Sequence, residues 1–393
     1  MSFFRHGLFA FILLIPLTGQ AQTTTNIDFD NNGVIDQRDF QVLLQAFGTN
    51  QSRYDLHPDG KVDFQDFLIF AKAFSQRNTS VSAEQVFAQN ATAQIDFFKL
   101  TTLGSRPQDL VVDAQGRVWF TDSGTHQIGR IDPRTETVVA YPLNTPSGQP
   151  HSITLDAQGR VWFTEIGGNR IGRFDPFSEE SRSFTIPTPG SRPKSLVFDS
   201  KGVLWFGESS GGRIGRFNPT TETVNEFSLN TSNSKICGIG VDATHNIWFA
   251  EGTSGRLGML NPETEAITYY ALSENTLDIR QLILDKSGNI WFTDAQNNQL
   301  GYFNTQTKNT IFYALPKTLN QPHALDNDRS GRIWLAGQSG RHIAQFDPDT
   351  RRLIIYELPT STIRIENIDV DFTGAVWVTD SEGNRIGRIT TGS

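Results

Sequence analysis

All seven tryptophans of the chain stand 43 residues apart, at Trp119, Trp162, Trp205, Trp248, Trp291, Trp334 and Trp377, with no insertion or deletion between any two. A strict period of this length means that one supersecondary unit is stacked seven times, since a unit so small cannot bury its own apolar face alone. The flanking residues repeat in phase, as in Val118-Trp119-Phe120-Thr121-Asp122, Val161-Trp162-Phe163-Thr164-Glu165 and Ile290-Trp291-Phe292-Thr293-Asp294. Within one unit four strand-like runs can be read: Ser152 to Asp156, Arg160 to Glu165, Arg170 to Phe174 and Ser181 to Ile186. Ala157-Gln158-Gly159, Gly167-Gly168-Asn169 and Asp175-Pro176 separate them and supply the residues that tight turns require. Units this rich in β-branched and aromatic residues, and this often broken by glycine, are not stacked helices. Each unit is a four-stranded antiparallel blade, and the fold class is all-β, a seven-bladed β-propeller.

The aromatic pattern also predicts how the ring closes. Aromatic residues recur 22 positions after each tryptophan, at Tyr141, Phe184, Phe227, Tyr270, Tyr313 and Tyr356, while the seventh would lie beyond Ser393. The last blade therefore needs an outer strand from elsewhere. Phe98 sits one period before Tyr141, so Gln94 to Leu100 is expected beside Arg385 to Ile389, tying the first strand of the propeller to the last. On this reading the propeller occupies residues 94–393.

Ahead of it, Arg5 and His6 precede an uncharged apolar run, Gly7 to Leu17, followed by Thr18-Gly19-Gln20-Ala21. Residues 1–21 read as a secretory signal peptide cleaved after Ala21, the run being too short for the roughly 20 residues of a membrane-spanning helix. The expected location is outside the cytoplasm, periplasmic or extracellular, with no membrane insertion. Two acidic loops follow, Asp28 to Asp39 and Asp55 to Asp66. Each fits the twelve-residue EF-hand calcium loop. In the first, Asp28, Asp30, Asn32, Asp36 and Asp39 supply side-chain oxygens and Val34 a carbonyl; in the second, Asp55, Asp59, Asp63 and Asp66 do so, with Lys61 giving the carbonyl. Gly33 and Gly60 occupy the sharp turn, while His57 departs from the pattern because imidazole suits hard cations poorly. Apolar residues at helical spacing, Phe40, Leu43, Leu44 and Phe47, then Phe67, Phe70 and Phe74, predict one exiting helix after each loop. Residues 26–74 thus resemble the dockerin modules of secreted bacterial proteins. The resemblance implies calcium binding and a cohesin-like or cell-surface protein as partner for a module spanning 22–74. Residues 75–93, polar and rich in Asn, Gln, Ser and Thr, read as a flexible linker.

The net charge of −8 excludes a nucleic-acid-binding role, which needs a basic face, and the lone Cys237 leaves the exported chain without an internal disulfide. Chemistry is expected where the blades meet at the central channel. Aligned units place Gln108, His151, Lys194, Cys237, Arg280, His323 and Glu366 at the start of the inner strand, and Asp122, Glu165, Glu208, Glu251, Asp294, Gly337 and Asp380 at the end of the second. Regular antiparallel pairing of Asp156 with Arg160 sets His151 opposite Glu165 at one mouth of the channel. An acid across the hairpin makes His151 a candidate general base and Glu165 a candidate Mg²⁺ ligand; the alternative is that the acids cap the following turn.

The repeat, with Gly159-x-Val161-Trp162-Phe163-Thr164-Glu165 followed by Asn169-Arg170-Ile171-Gly172-Arg173-Phe174-Asp175-Pro176, resembles the streptogramin lyase family over residues 94–393. The resemblance implies opening of a cyclic depsipeptide by elimination, with a histidine base and Mg²⁺ held by glutamates. Pro150-His151-Ser152-Ile153 and Trp162-Phe163-Thr164-Glu165 match the base and one metal-ligand segment. Gln149 stands where the second carboxylate is expected, Gln108 or Lys194 where a second histidine is, and His323 is read as too far around the ring to replace it. The reading that follows is a secreted, monomeric, calcium-binding β-propeller that binds a small molecule or glycan at its channel or a partner protein. The alternatives are a metal-dependent lyase cleaving a C–O bond of another ester or glycan substrate, and a lactone hydrolase.

Overall fold

The structure is a computed structural model that describes residues 27, 29, 37–77, 83–145, 147–229, 234–252, 254–272, 277–338, 341–360 and 363–391. The signal-peptide reading of residues 1–21 lies outside the described residues. No described helix is long and apolar enough to cross a membrane. The chain divides into two compact units, residues 1–80 and 81–393.

In the first unit, helices α1 (Gln37–Ala46) and α2 (Phe64–Arg77) follow the two acidic loops. They enclose a small core in which Ile27, Phe29, Leu43, Leu56, Val62 and Phe70 are buried. The repeat of loop and exiting helix places equivalent apolar residues, Phe29 and Leu56, at the second position of each loop.

The second unit is a seven-bladed propeller. Blades 1 to 5 are separate four-stranded sheets with strands in sequence order. In blade 2 the strands are Pro150–Leu155, Val161–Glu165, Arg170–Asp175 and Glu180–Thr185. The second strand is buried end to end in every blade. Buried on both faces, it reads as a continuous apolar run rather than an alternating one.

Two contacts repeat around the ring and account for the period. Each tryptophan Nε1 donates to the aspartate six residues earlier, from Trp119 to Asp113 at 3.0 Å through Trp377 to Asp371 at 2.9 Å. That aspartate also accepts amides of its own hairpin turn, as Asp156 does from Gln158 and Arg160, so one side chain shapes the turn and satisfies the buried indole. The second contact is the seat of the phenylalanine that follows the tryptophan. Phe163 pairs across the ladder with Gly172, and a Cβ on that glycine would lie 2.1 Å from the ring. Blades 1, 3, 4 and 5 repeat it with Phe120 on Gly129, Phe206 on Gly215, Phe249 on Gly258 and Phe292 on Gly301. In blade 6 the pair is Leu335 with Ala344, a smaller residue facing a larger one.

Closure is more extensive than the sequence predicts. Strand β1 (Phe87–Lys99) supplies the outer strand of blade 7, with Phe98 opposite Ile386 and Asp96 opposite Arg388. Its first half, Phe87 to Thr92, also pairs in parallel with Arg352 to Glu357, the outer strand of blade 6, merging both blades into one eight-stranded sheet. Further upstream, Glu84 bridges to Tyr313 of blade 5. The propeller chain therefore begins before residue 94, and most of the described part of the expected linker is held in a ladder. Residues 87–90 of β1 are exposed, so that stretch is held by backbone pairing rather than by buried side chains. Its polar composition concealed it.

Candidate functional site at the channel mouth

The register of each inner hairpin sets the geometry of the mouth. Ile153 pairs with Phe163 and Thr154 with Trp162, as regular pairing requires, but Pro150 then pairs with Glu165 because the ladder shifts between Pro150 and Ile153. His151 is therefore not opposite Glu165, which corrects the expected pairing. The same shift occurs in all seven blades, each time at the ring position: around Gln108, Lys194, Cys237, Arg280, His323 and Glu366 as around His151. A bulge adds one residue to a strand and re-aims its side chain. In blades 1, 2, 5 and 7 the extra amide is satisfied by the threonine of the second strand: Asp109 N donates to Thr121, Ser152 N to Thr164 Oγ1 at 3.0 Å, Gln281 N to Thr293 and Asn367 N to Thr379. The same hydroxyls donate to ring carbonyls of the next blade, Thr121 to His151 and Thr379 to Gln108.

All seven ring side chains are half-buried. His151 Nδ1 is buried without a hydrogen-bond partner. Burial above all, then the charges of Lys194, His323 and Arg192, push its imidazole down to about 3, against a weaker upward pull from a hydrogen bond to the Lys194 backbone. It is a neutral imidazole at neutral pH. His323 Nε2 lies 3.6 Å from Glu366 Oε2, and burial lowers its imidazole while Glu366 raises it. Burial pushes the Cys237 thiol up to about 12, so it stays protonated.

A second, mostly more exposed ring lies two residues before the first: Arg106, Gln149, Arg192, Lys235, Asp278, Gln321 and Arg364. Arg280 pairs with Asp278 at 2.5 Å and Arg364 with Glu366 at 2.7 Å. Arg106, Arg192, Lys194 and Lys235 have no ion-pair partner among the described residues. The two rings together carry six Lys and Arg against two carboxylates, on a chain of net charge −8. The mouth is cationic although the chain as a whole is acidic. The signal was present in the sequence, since residues two before each ring position are mostly charged.

The acids ending the second strands lie beneath this surface, buried to within 2 % exposure. The aspartates cap turns: Asp122 accepts from Arg106, Gly124 and Thr125 amides, Asp294 from Asp278, Gln296 and Asn297, and Asp380 from Arg364 and Gly383. The glutamates differ. Glu165 Oε1 accepts from Ser183 Oγ at 2.9 Å and Thr145 Oγ1 at 3.2 Å, Oε2 has no partner, and burial raises the carboxyl. Glu251 is held by Ser234, Ser254 and Arg256. Both oxygens of Glu208 are buried without a partner, and burial followed by the adjacent Glu226 pushes its carboxyl up to about 8. Mg²⁺ needs an octahedral oxygen set. Around Glu165 stand two hydroxyls, glycines 148 and 168 and its ladder partner Arg170, and no cluster of three His, Cys, Asp or Glu suited to a metal occurs among the described residues. The donor set around His151 and Glu165 does not fit magnesium.

Below the mouth, inner-strand side chains stitch neighbouring blades. Asp109 accepts from Ile153 N, Gln281 from Leu325 N, Asp326 from Val370 N and Asp369 from Val112 N. Burial raises the carboxyls of Asp109, Asp326 and Asp369.

In the first unit, Asp28, Asp30, Asn32, Val34 and Asp36 lie outside the described residues, while Asp39 is buried and accepts from Phe29 N at 2.6 Å. In the second loop Gly60 takes φ +88°, and Asp55 accepts its amide at 2.8 Å and that of Asp59 at 3.3 Å. Asp59 accepts from Lys61 N, and Asp63 from Gln65 N. Asp66, expected as the closing ligand, turns its oxygens to the amides of His57 and Asp63, 2.7 Å from each. The winding suits a cation loop, but Asp66 as placed here serves the backbone.

Seven blades with bulged inner strands and a stitched channel define the class, a closed seven-bladed β-propeller with a cationic mouth. The chain belongs to the virginiamycin B lyase family, whose model matches residues 77–346. Among solved structures it is similar to virginiamycin B lyase from Staphylococcus aureus, with TM-score 0.71 and 24 % identity, covering 76 % of this chain and 99 % of that one. A catalytically inactive histidine-to-alanine variant of that lyase with quinupristin matches at TM-score 0.70 and 22 % identity, over 76 % and 99 %. The WD40 propeller domain of Doa1 matches at TM-score 0.62 and 14 % identity, over 76 % and 98 %. At these identities the likeness shows the fold. No curated protein matches the sequence.

Proposed function

We propose that the chain is a ligand-binding propeller of the virginiamycin B lyase family whose mouth holds an acidic small molecule or glycan. The observation that supports this is the set of four cations, Arg106, Arg192, Lys194 and Lys235, gathered at the rim without ion-pair partners among the described residues. Unpaired cations in a concave rim concentrate anions. Titration calorimetry with a short oligouronate tests the reading: binding is expected, weakened at least about tenfold by Lys194→Ala combined with Arg192→Ala, a loss of about 1.4 kcal/mol, and weakened by added salt. Unchanged affinity in the double variant would overturn it.

A second reading, a lyase, is favoured by one observation, the neutral His151 with Nδ1 buried and unpartnered. Such an imidazole takes the proton α to a carboxylate, the pair left behind forms the carbon–carbon double bond, and the β C–O bond breaks as the imidazolium of His151 returns the proton to the departing oxygen, which leaves as the alcohol. Lys194 would steady the carboxylate. The same titration separates the two, because elimination creates a conjugated double bond seen by ultraviolet absorbance. Growth of that signal, lost in His151→Ala, would replace binding with catalysis. Streptogramin B with Mg²⁺ is expected to be linearised slowly or not at all, since Gln149 and the neighbours of Glu165 do not provide the metal's oxygen set. Export through residues 1–21, calcium in the two acidic loops and a cohesin-like or cell-surface partner for the first unit belong to the same reading, as does a monomeric state. The left-handed turn at Gly60 supports the calcium component.

A further inference from the structure

The acid that ends the second strand is neutralised in different ways around the ring. In blade 4 its ladder partner Arg256 pairs with Glu251 at 2.5 Å and lies over Tyr269, 4.1 Å from the ring centroid. In blade 7 Arg385 does the same, pairing with Asp380 at 2.7 Å and lying 3.6 Å over Phe97. Blade 2 uses a hydroxyl instead, Ser183 of the fourth strand, which donates to Glu165 at 2.9 Å.

Blade 3 does neither. Its ladder arginine, Arg213, donates Nη1 to the Gly211 carbonyl at 2.9 Å, and the fourth-strand position that is Ser183 in blade 2 and Tyr269 in blade 4 is Glu226. Glu208 is fully buried with both carboxylate oxygens unpartnered, and Glu226 lies within hydrogen-bonding reach of it. The Thr188 amide holds Glu226 in place, 3.1 Å from Oε1. Two carboxylates in contact cannot both stay ionised in a buried place unless a cation stands between them. A shared proton bridges one oxygen of each acid and leaves the other oxygen of Glu208 without a donor. A divalent ion chelated by both oxygens of Glu208 satisfies the whole set. The buried Ser191 adds a third donor, because its hydroxyl gives its hydrogen to Asn169 Oδ1 at 2.9 Å and keeps a lone pair for the site. A glycine lets the carboxylate lie against the turn, since a Cβ on Gly211 would stand 2.5 Å from Glu208 Oε2. Glu226 is only half-buried, so water can complete the coordination from its side.

We infer that Glu208, Glu226 and Ser191 form a binding site in blade 3 for a hard divalent cation, with calcium the best fit. Donors that are all oxygen select a hard ion, and calcium accepts bidentate carboxylates, hydroxyls and waters in an irregular set. The site shares no residue with the His151 and Glu165 pair or with the acidic loops of the first unit, and it does not depend on what the mouth binds.

The test uses the full chain with calcium chloride as probe and a chelator as the reference condition. Calcium at about a hundredfold above its dissociation constant is expected to raise the melting temperature of the propeller by about 4–5 °C. Glu226→Gln, which puts a hydrogen-bond donor beside Glu208, is expected to melt above the parent in chelator, to lose the calcium-dependent rise and to bind one calcium fewer by calorimetry. Asp55→Ala, in the acidic loop of the first unit, is expected to keep the rise. A rise that persists in Glu226→Gln overturns the inference. So does a parent indifferent to calcium while Glu226→Gln still gains stability in chelator, because a proton alone then bridges the pair.

Discussion

The seat of Phe163 on Gly172 makes a quantitative prediction. In Gly172→Ala the new methyl would lie 2.1 and 2.2 Å from two ring carbons of Phe163, far inside van der Waals contact. Both residues sit in the interior of blade 2, with Phe163 fully buried. The ring cannot swing to solvent, so strands or neighbours must move, and overpacking of this kind costs about 1–3 kcal/mol. Blade 6 shows the remedy, since Leu335 faces Ala344 there. Phe163→Leu alone leaves a void and should cost about 1–2 kcal/mol by lost burial and cavity. The double variant joins the two losses into the arrangement of blade 6, so it should be more stable than the sum of the single changes by about 1–2 kcal/mol, the size of coupling seen between touching core residues. Denaturant unfolding at equilibrium measures all three, with each kcal/mol shifting the melting temperature by roughly 2 °C in a domain of this size. A Gly172→Ala protein as stable as the parent, or a double variant with strictly additive losses, would refute the packing argument.

Glu208 should give the propeller an alkaline weakness. Its folded carboxyl is raised from 4.5 to about 8, so between those values the folded state holds a proton that the unfolded chain has released, and stability falls as pH rises through that window. Glu208→Gln should flatten the decline, and a stability profile identical to the parent's would count against it. Removal of residues 83–99 should lower the melting temperature of the whole propeller, whereas removal of residues 1–80 should leave it; equal melting temperatures for the two truncations would contradict the closure described. Asp55→Ala should cost one calcium site by calorimetry without changing the propeller's melting temperature, and an unchanged stoichiometry would remove the second loop from the calcium reading.

The fold was legible because its cause is repeated seven times. Each tryptophan carries its aspartate six residues earlier, and each period places both in the same turn, so spacing alone reported architecture. The missing outer strand was legible for the same reason, through Phe98. The mouth was legible only as a list of residues. Counting pairs across the hairpin from Asp156 and Arg160 assumes an unbroken ladder, and a bulge changes that count without changing the period. The threonine in Val161-Trp162-Phe163-Thr164 was the available signal, because a hydroxyl inside a wholly buried strand needs a partner, and the bulged amide is that partner. The acids following it divide by length: aspartates reach only the turn they cap, while glutamates 165 and 208 reach past it and keep unpartnered oxygens. The parallel pairing of Phe87 to Thr92 left no trace in the sequence, since an exposed edge strand held by backbone hydrogen bonds imposes no apolar pattern.

That strand has a mechanical consequence. A pull applied upstream of Phe87 along the axis of β1 meets the ladder to Arg352–Glu357 and, in line behind it, the ladder to Arg385–Thr391. Hydrogen bonds perpendicular to the load share it in shear, whereas bonds at a peeling end would break one at a time. Tension on that strand is passed from one blade to the next and is resisted along its full thirteen residues.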